Sequence, residues 1–444
     1  MFCLVPEGQA SMVSWENSEP FQFLIMASPQ VYASIITIGD ELLIGQTIDT
    51  NSAYIAQELN KIGIWVHRRV AVGDVWEDIW KSLEEESRVS QVILITGGLG
   101  PTADDITKPL LCQYFEGKLI VNEDALNNVK NIFENILKRP LLERNLKQAE
   151  VPDTCQVFQN KRGTAPGMWF EKDEKIYISL PGVPHEMKGM MTASVLSKLK
   201  QKFELPPIIH RTVLTAGIGE SFLAERINDF ETTLPSNIKL AYLPNYGMVK
   251  LRLTARGRSE KMLAELEAEF DMLKQKVQDV MVVDEDLSMQ EVIGKILVQQ
   301  QKTIATAESC TGGYVAHLIT SVPGSSAYYR GSLVSYSNEI KEELLGIDPQ
   351  VIKQYGAVSK ETASMMVKGA LRLLKTDFVL VTTGIMGPNG GSPEKPSGTV
   401  WIGVGNAQRT ETHHFHFRFD RQRNMELTAT NALNILRKFV LQDQ

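Results

Sequence analysis

The chain has 444 residues, of which 43% are hydrophobic and 22% charged, and its formal net charge is -7. This length exceeds one ordinary domain core, so we expect two or three domains, and the composition is typical of a globular protein rather than a disordered or membrane protein. The negative charge argues against broad nucleic-acid binding, because no excess of Lys and Arg is available to neutralise phosphates.

The start of the chain and its thiols indicate an unexported protein. The cysteines are Cys3, Cys112, Cys155 and Cys310. No C-x-x-C pair occurs among them, so neither a zinc site nor a disulfide framework is predicted, and a reducing cytoplasm fits best. Residues 1–30 contain no Lys or Arg and lack the basic flank of a signal peptide. We expect an irregular leader, no export and no membrane span, with Met26 as an alternative start.

Strands and helices alternate over residues 31–203. The predicted strands are 31–38, 64–66, 92–95 and 175–180, and the predicted helices lie near 52–61, 76–87 and 184–203. Such alternation indicates parallel βαβ units in a layered α/β domain. The following stretch, E204-L-P-P-I208, is predicted to be a linker, because two prolines block helix continuation and ladder pairing.

Two further domains follow the linker. Residues 208–285 read as a small α+β domain, with strands 211–216, 238–243, 248–255 and 279–283, a turn over 244–247, and helices 220–228 and 259–276. Residues 286–444 read as another α/β domain, with strands 302–306, 378–382, 397–404 and 410–419 and helices from Ser288, after Gly312, over 360–374 and over 421–441. The predicted fold is multidomain α/β, with two three-layer α/β domains joined by a small α+β domain.

Two loops of the first domain follow strands, where open α/β sheets bind ligands. They are T37-I-G-D-E-L-L-I-G45 and I95-T-G-G-L-G-P-T-A-D-D-I-T107. The glycines of the second loop, Gly97, Gly98 and Gly100, let backbone amides approach a phosphate, and Asp104 and Asp105 suit a divalent cation. The alternative is a turn that only caps the helix beginning near Ile106.

A third segment, L180-P-G-V-P-H-E-M187, starts a helix whose N-terminus suits an anion. The three segments together resemble the molybdopterin-binding, MoaB-like domain at the N-terminus of the CinA family. In that family the domain is associated with metal-dependent cleavage of ADP-ribose, so the resemblance implies a nucleotide pyrophosphate ligand and a divalent cation, Mg²⁺ or a transition metal. The metal and phosphate candidates by this resemblance are Asp40, Glu41, Asp104 and Asp105. Binding without hydrolysis is the alternative.

Three possible nucleophiles stand in a row in T303-I-A-T-A-E-S-C-T-G-G313. Their position after an apolar strand and before two glycines suits an exposed nucleophile but does not choose among Ser309, Cys310 and Thr311. We interpret Cys310 as a small buried residue, because no histidine adjoins it. A serine needs a base, for which Lys341 is a candidate, although on spacing alone a solvated helix lysine is the better interpretation.

The loop T382-T-G-I-M-G-P-N-G-G-S-P-E-K-P-S-G-T-V-W401 contains five glycines and three prolines. This is more than a hairpin turn demands, so we expect the loop to line a pocket. Arg421, at the start of the last helix, is suited to pair with a phosphate.

These segments, with Y336-S-N-E-I-K341 and G356-A-V-S359, resemble the C-terminal domain of the CinA family, the PncC-type nicotinamide mononucleotide amidohydrolase. The resemblance implies hydrolysis of the nicotinamide carboxamide without a cofactor. It makes Ser309 the nucleophile and Lys341 its base, with Tyr336 nearby. It also implies oxyanion-binding amides and ligand-binding residues, which are Thr311, Gly312, Gly313, Thr383, Gly384 and Arg421.

The resemblance covers most of the chain and has departures. The middle segment resembles the family's KH-like domain, yet it has no G-x-x-G loop and no basic face for RNA. Phe419 and Met386 replace smaller residues of the family motifs, so we expect them to narrow the pocket. The family implies a homodimer that binds small nucleotides, with no nucleic-acid or membrane partner.

A metal site in H413-H-F-H416 is not predicted. Alternation along a strand sends His414 and His416 to one face and His413 with Glu411 to the other, so neither face gathers three ligands. The leading hypothesis is a two-headed pyridine-nucleotide hydrolase. The alternatives are a non-catalytic binding or assembly protein related to competence, and a protein in which one head alone is active.

Overall fold

The structure is a computed structural model that describes residues 30–102, 105–257 and 259–443. The leader, Met26 and Asp104 therefore lie outside the described residues. The chain divides into two compact units, with the boundary between Pro207 and Ile208. In the described ranges, no helix combines the length and the apolar character that crossing a bilayer requires.

The first unit is built on a six-stranded sheet. Its elements are β1 (Tyr32–Ile38), α1 (Asp40–Leu43), α2 (Thr50–Lys61), β2 (Trp65–Val72), α3 (Trp76–Val89), β3 (Val92–Thr96), α4 (Thr107–Tyr114), β4 (Leu119–Val121), α5 (Glu123–Asn131), α6 (Glu143–Leu146), β5 (Glu150–Pro152), β6 (Gln156–Phe158), β7 (Gly167–Lys172), β8 (Lys175–Leu180), α7 (Pro184–Met190) and α8 (Leu196–Lys202). The order is β2-β1-β3-β8-β7-β6, with β4 and β5 forming a separate pair. The strands β2, β1, β3 and β8 run parallel.

Helices cover both faces of this sheet. Ile35 and Leu94 belong to one core cluster and Ile36 and Ile93 to another, because neighbouring residues of a strand point to opposite faces. The parallel order brings the loops after β1, β3 and β8 together at one edge. The predicted three-layer domain is confirmed.

The second unit begins with a small antiparallel sheet. Its elements are β9 (Ile208–Ala216), α9 (Glu220–Thr233), β10 (Ile238–Asn245), β11 (Met248–Arg256), α10 (Glu260–Lys276) and β12 (Met281–Val283), in the order β10-β11-β9-β12. The turn predicted over residues 244–247 is shorter in the structure. Pro244 pairs with Val249 inside β10, which tolerates proline because β10 is an edge strand. Only Tyr246 and Gly247 turn the chain.

The rest of the second unit is a mixed five-stranded sheet with helices on both faces. Its elements are α11 (Met289–Gln300), β13 (Ile304–Glu308), α12 (Tyr314–Thr320), β14 (Tyr329–Val334), α13 (Asn338–Glu343), α14 (Pro349–Tyr355), α15 (Lys360–Leu374), β15 (Phe378–Gly384), β16 (Thr399–Gly405), β17 (Thr410–His416) and α16 (Arg421–Leu441). The order is β14-β13-β15-β16-β17. The predicted strand over 410–419 ends at His416, because the chain must turn before Asp420, whose side chain caps α16.

The two parts of the second unit share a hydrophobic cluster. Ala216 is buried in the cluster that is formed mainly by the C-terminal domain, and Met248 and Val282 pack against the same cluster. An ion pair between Lys250 and Asp286 spans the same junction.

Candidate functional site

The carboxyl ends of β13, β14 and β15 meet at one point. Glu308, the last residue of β13, lies opposite Val334 of β14 and Thr382 of β15. Ser309 follows directly, and its amide donates to the carbonyl of Thr382 at 2.9 Å. The candidate nucleophile is therefore held at the centre of the sheet edge.

Lys341 of α13 is buried, with 1% of its surface exposed. Its Nζ lies 3.1 Å from Ser309 Oγ. It also donates to the carbonyl oxygens of Ser335 at 2.8 Å, Tyr336 at 3.2 Å and Ser337 at 3.4 Å. Burial lowers the pKa of Lys341, because the charged form loses water. The interpretation as a solvated helix lysine is therefore wrong, and the amine lies within hydrogen-bonding distance of Ser309 Oγ.

The three candidate nucleophiles have different surroundings. Thr311 is buried, and its hydroxyl lies 2.7 Å from Glu308 Oε2 and 2.7 Å from Thr382 Oγ1. Cys310 is buried, and burial raises the pKa of its thiol to about 12, so the thiolate is scarce near neutral pH. Among the three, the geometry favours Ser309, which has a buried amine beside its hydroxyl.

Glu308 is a functional candidate that the sequence reasoning missed. Its carboxylate is fully buried and accepts the amide of Gly313 at 3.0 Å. The amide of Gly312 donates to the carbonyl of Ser309 at 3.2 Å. Two of the amides expected to stabilise an oxyanion thus already have acceptors within the protein. A signal was present in the sequence, since an acidic residue just before a glycine-rich helix start suits the helix N-terminus.

Residues expected to bind the ligand lie around the same edge. Arg421 donates to the carbonyl of Gly387 at 3.0 Å and to the hydroxyl of Tyr336 at 3.2 Å. Thr383, at the end of β15, donates to the carbonyl of Ala357 at 2.8 Å. The next residue, Gly384, has little free space, since a Cβ there would lie 2.9 Å from the carbonyl oxygen of Thr399.

The two departures from the family motif have different positions. Met386 is 3% exposed and packs in the hydrophobic core. The expectation that its side chain narrows the pocket is therefore wrong. Phe419 is 48% exposed and lies under the guanidinium of Arg423 at 4.1 Å. The buried side chain of Asn424 links both residues by donating to the carbonyls of Met386 at 3.0 Å and Phe419 at 2.9 Å. The sequence reasoning missed Asn424.

The histidines of β17 have separate surroundings. His413 Nε2 lies 3.5 Å from the carboxylate of Glu411, the ring of His414 packs on Trp401, and His416 contacts the carbonyl of Ser397. The predicted division of these side chains between two faces is confirmed for His413 and Glu411.

The glycine-rich loop of the first unit adopts backbone conformations that favour glycine. Gly97 has φ 119° and Gly98 has φ 62°. A Cβ at Gly97 would lie 2.2 Å from the carbonyl oxygen of Ile38, so the loop passes close to the end of β1. Gly100 donates its amide to Asp105 at 2.8 Å. Asp105 therefore shapes the loop from within, since it also accepts the amide of Thr102 at 2.9 Å.

The predicted metal ligands do not converge in the part of the chain that the structure describes. Asp40 and Glu41 are exposed on α1, and Asp40 exchanges hydrogen bonds with the backbone and side chain of Asp74. No group of three His, Cys, Asp or Glu side chains there is suited to hold a metal ion. Both oxygens of Asp105 accept hydrogen bonds from the loop, so Asp40, Glu41 and Asp105 do not form a metal site by themselves.

A cavity of about 190 Å³ adjoins the glycine-rich loop. Its charged lining residues are the cations Lys108, Arg144 and Lys147 and the carboxylates Asp105 and Glu150. The buried Lys108 donates to three backbone carbonyls, and burial lowers its pKa to about 8. The cavity therefore places Arg144 and Lys147 beside the glycine-rich loop.

Comparisons with known proteins agree with the division of the chain. Residues 34–201 match the family described as "Probable molybdopterin binding domain", residues 210–280 match "Damage-inducible protein CinA KH domain" and residues 286–440 match "CinA C-terminal domain". A CinA-like protein of Cytophaga hutchinsonii is 45% identical over 92% of this chain and 98% of its own length. A CinA-like protein of Flavobacterium psychrophilum is 45% identical over 93% of this chain and 99% of its own. The solved competence damage-inducible protein A of Klebsiella pneumoniae is 28% identical and covers 35% of this chain and 97% of its own, with a TM-score of 0.35.

Proposed function

This chain belongs to the CinA family, and we propose that its C-terminal domain hydrolyses the carboxamide of nicotinamide mononucleotide to give nicotinate mononucleotide and ammonia. The observation that carries the proposal is the buried Lys341 amine, 3.1 Å from the Ser309 hydroxyl. A lysine with a lowered pKa is a base that needs no histidine, and a serine paired with it is a nucleophile.

The reaction proceeds through an acyl-enzyme. Neutral Lys341 takes the hydroxyl proton while Ser309 Oγ bonds to the carboxamide carbon, and the carbonyl electron pair moves to oxygen. Collapse of this intermediate breaks the C–N bond, and Lys341 returns the proton to the leaving ammonia. Water then attacks the ester carbon and gives a proton to Lys341. Collapse of this second intermediate breaks the bond to Ser309 Oγ, which takes the proton back from Lys341, and the carboxylic acid product loses its own proton to water.

The carbonyl oxygens around Lys341 orient its lone pair. A neutral amine has two N–H donors, which the carbonyls of Ser335 and Tyr336 accept. The carbonyl of Ser337, at 3.4 Å, is the most distant of the three carbonyls, so the lone pair is left to face the hydroxyl of Ser309 at 3.1 Å. At the ligand side, Arg421 supplies a cation for the phosphate of the mononucleotide, and its contact with Tyr336 holds it at the sheet edge.

The test measures ammonia released from nicotinamide mononucleotide by the purified chain. We expect Ser309→Ala and Lys341→Met to lose activity while Cys310→Ala retains it. Folding of each variant is checked by circular dichroism. Activity that survives in Ser309→Ala, or that disappears only in Cys310→Ala, would overturn the serine mechanism. A wild type that binds the nucleotide without releasing ammonia would favour the non-catalytic alternative.

For the first unit we propose a nucleotide pyrophosphate ligand of the ADP-ribose type. Support comes from the cavity beside the glycine-rich loop, where Arg144 and Lys147 suit a pyrophosphate. We expect Lys147→Ala to weaken ADP-ribose binding in calorimetry, whereas Lys61→Ala, at an exposed site on α2, leaves it unchanged. Hydrolysis that stops on chelation of divalent cations would support a metal-dependent pyrophosphatase. Binding of ADP-ribose without turnover in the presence of Mg²⁺ would refute the pyrophosphatase activity.

A further inference from the structure

Glu308 is a fully buried carboxylate directly before Ser309 in the chain. Beyond the amide of Gly313, it accepts the amides of Val315 at 3.0 Å and Ala316 at 2.8 Å. Both carboxylate oxygens therefore accept from the first turn of α12. A carboxylate without water needs such donors, because its burial is otherwise costly. The arrangement ties the end of β13 to the start of α12, on either side of the nucleophile.

A chain of hydroxyl groups extends this contact to β15. Since Glu308 acts only as an acceptor, the hydroxyl of Thr311 donates to it, and the oxygen of Thr311 is left to accept from Thr382. The carbonyl of Thr382 accepts the amide of Ser309. The residues that hold Glu308 thus also hold the backbone of Ser309.

We propose that Glu308 is a positioning residue, whose buried carboxylate fixes the loop between β13 and α12 and so keeps Ser309 Oγ in reach of Lys341. The proposal rests on the proposed hydrolase, in which Ser309 is the nucleophile. Glu308 has no contact with the substrate in this role. It acts through the α12 amides and Thr311. Its replacement should therefore lower kcat and leave KM unchanged.

The experiment compares the full-length wild type with three variants. Glu308→Gln keeps the size of the side chain but turns one acceptor into a donor that faces amide N–H groups. Thr311→Val keeps Glu308 and removes the donor that links it to Thr382. Ser332→Ala is the matched control, because Ser332 Oγ lies 3.5 Å from Glu308 Oε1, at the limit of hydrogen bonding.

Two readouts are needed. The first is kcat and KM for ammonia release from nicotinamide mononucleotide across pH. The second is the rate at which a fluorophosphonate labels Ser309, followed by peptide mass spectrometry, which needs no substrate assignment. We expect Glu308→Gln to lower kcat and labelling about 100-fold, because a displacement of about 1 Å at a reacting atom has that effect. KM and the pH midpoint stay unchanged, and Ser332→Ala matches the wild type in both readouts.

The outcomes separate the two proposals. If wild-type Ser309 is labelled but no ammonia is released, nicotinamide mononucleotide is not the substrate. Slower labelling of Glu308→Gln would still support the positioning role. Where Glu308→Gln does not fold, a folded Thr311→Val that labels about tenfold more slowly supports the same role. Wild-type labelling rates in either folded variant would overturn it. So would a wild type whose Ser309 does not react, because there would be no nucleophile to position.

Discussion

Replacing Asn424 with alanine should loosen the loop that follows β15 and weaken substrate binding. The side chain donates to the carbonyls of Met386 and Phe419 and accepts the amide of Phe419 at 3.3 Å. Three lost hydrogen bonds at about 1 kcal/mol each predict a loss of about 3 kcal/mol in the stability of the second unit. Since the Met386 carbonyl anchors the loop that Arg421 also contacts, we expect KM for nicotinamide mononucleotide to rise about tenfold, or about 1.4 kcal/mol.

Asn406 offers a matched control at the opposite edge of the same sheet. It is also buried and makes three side-chain hydrogen bonds, to the carboxylate of Asp443 and from the amides of Gln408 and Arg409. Asn406→Ala should lose similar stability, measured by hydrogen exchange of second-unit peptides, with KM unchanged. An Asn424→Ala protein with wild-type KM, or an equal rise of KM in both variants, would refute the reasoning.

The remaining predictions concern single residues of the second unit. Because burial lowers the pKa of Lys341 and the neutral amine is the base, kcat/KM should rise with pH through one ionisation whose midpoint lies below the value of about 10.4 for a free lysine; a midpoint at or above that value would contradict the assignment. Since the pKa of Cys310 is raised to about 12, iodoacetamide should modify Cys310 at pH 8 much more slowly in the folded protein than in urea, as judged by peptide mass spectrometry. Gly398 has φ 91°, and a Cβ there would lie 1.7 Å from the carbonyl oxygen of Phe417, so Gly398→Ala should lower the melting temperature of the second unit, whereas Gly324→Ala, with φ 82° and open space around it, should lower it less.

The order of strands and helices could be read from the sequence where periodicity is strong. The apolar run before Ile38 and the helical pattern from Arg421 to Leu441 are both present as predicted. The edge strand β14 was not predicted, because its burial alternates weakly and Gly331 interrupts its apolar residues. Edge strands bury little surface, so their sequences carry a weak signal.

The buried polar residues of the site were harder to predict. Lys341 is on a short helix whose spacing gives no sign of burial, and its position depends on carbonyls of Ser335 and Tyr336, which follow β14. Asn424 donates to the carbonyl of Met386, and Glu308 accepts the amide of Ala316. A single sequence does not show which polar side chain will meet which backbone group. The glycine-rich loops, in contrast, could be predicted directly, because backbone positions with positive φ favour glycine and the glycines are visible in the sequence.

The middle and C-terminal domains share a hydrophobic cluster, so we expect these two domains to unfold together in one transition. Ala216, Met248 and Val282 are covered by the C-terminal domain, so removing either part would expose apolar surface of the other. Unfolding of residues 208–443 should therefore absorb heat in one calorimetric peak, with its heat capacity change spread over both sheets. The middle domain therefore covers part of the C-terminal core, and a shortened chain that begins at residue 286 would lack the contacts of Ala216, Met248 and Val282.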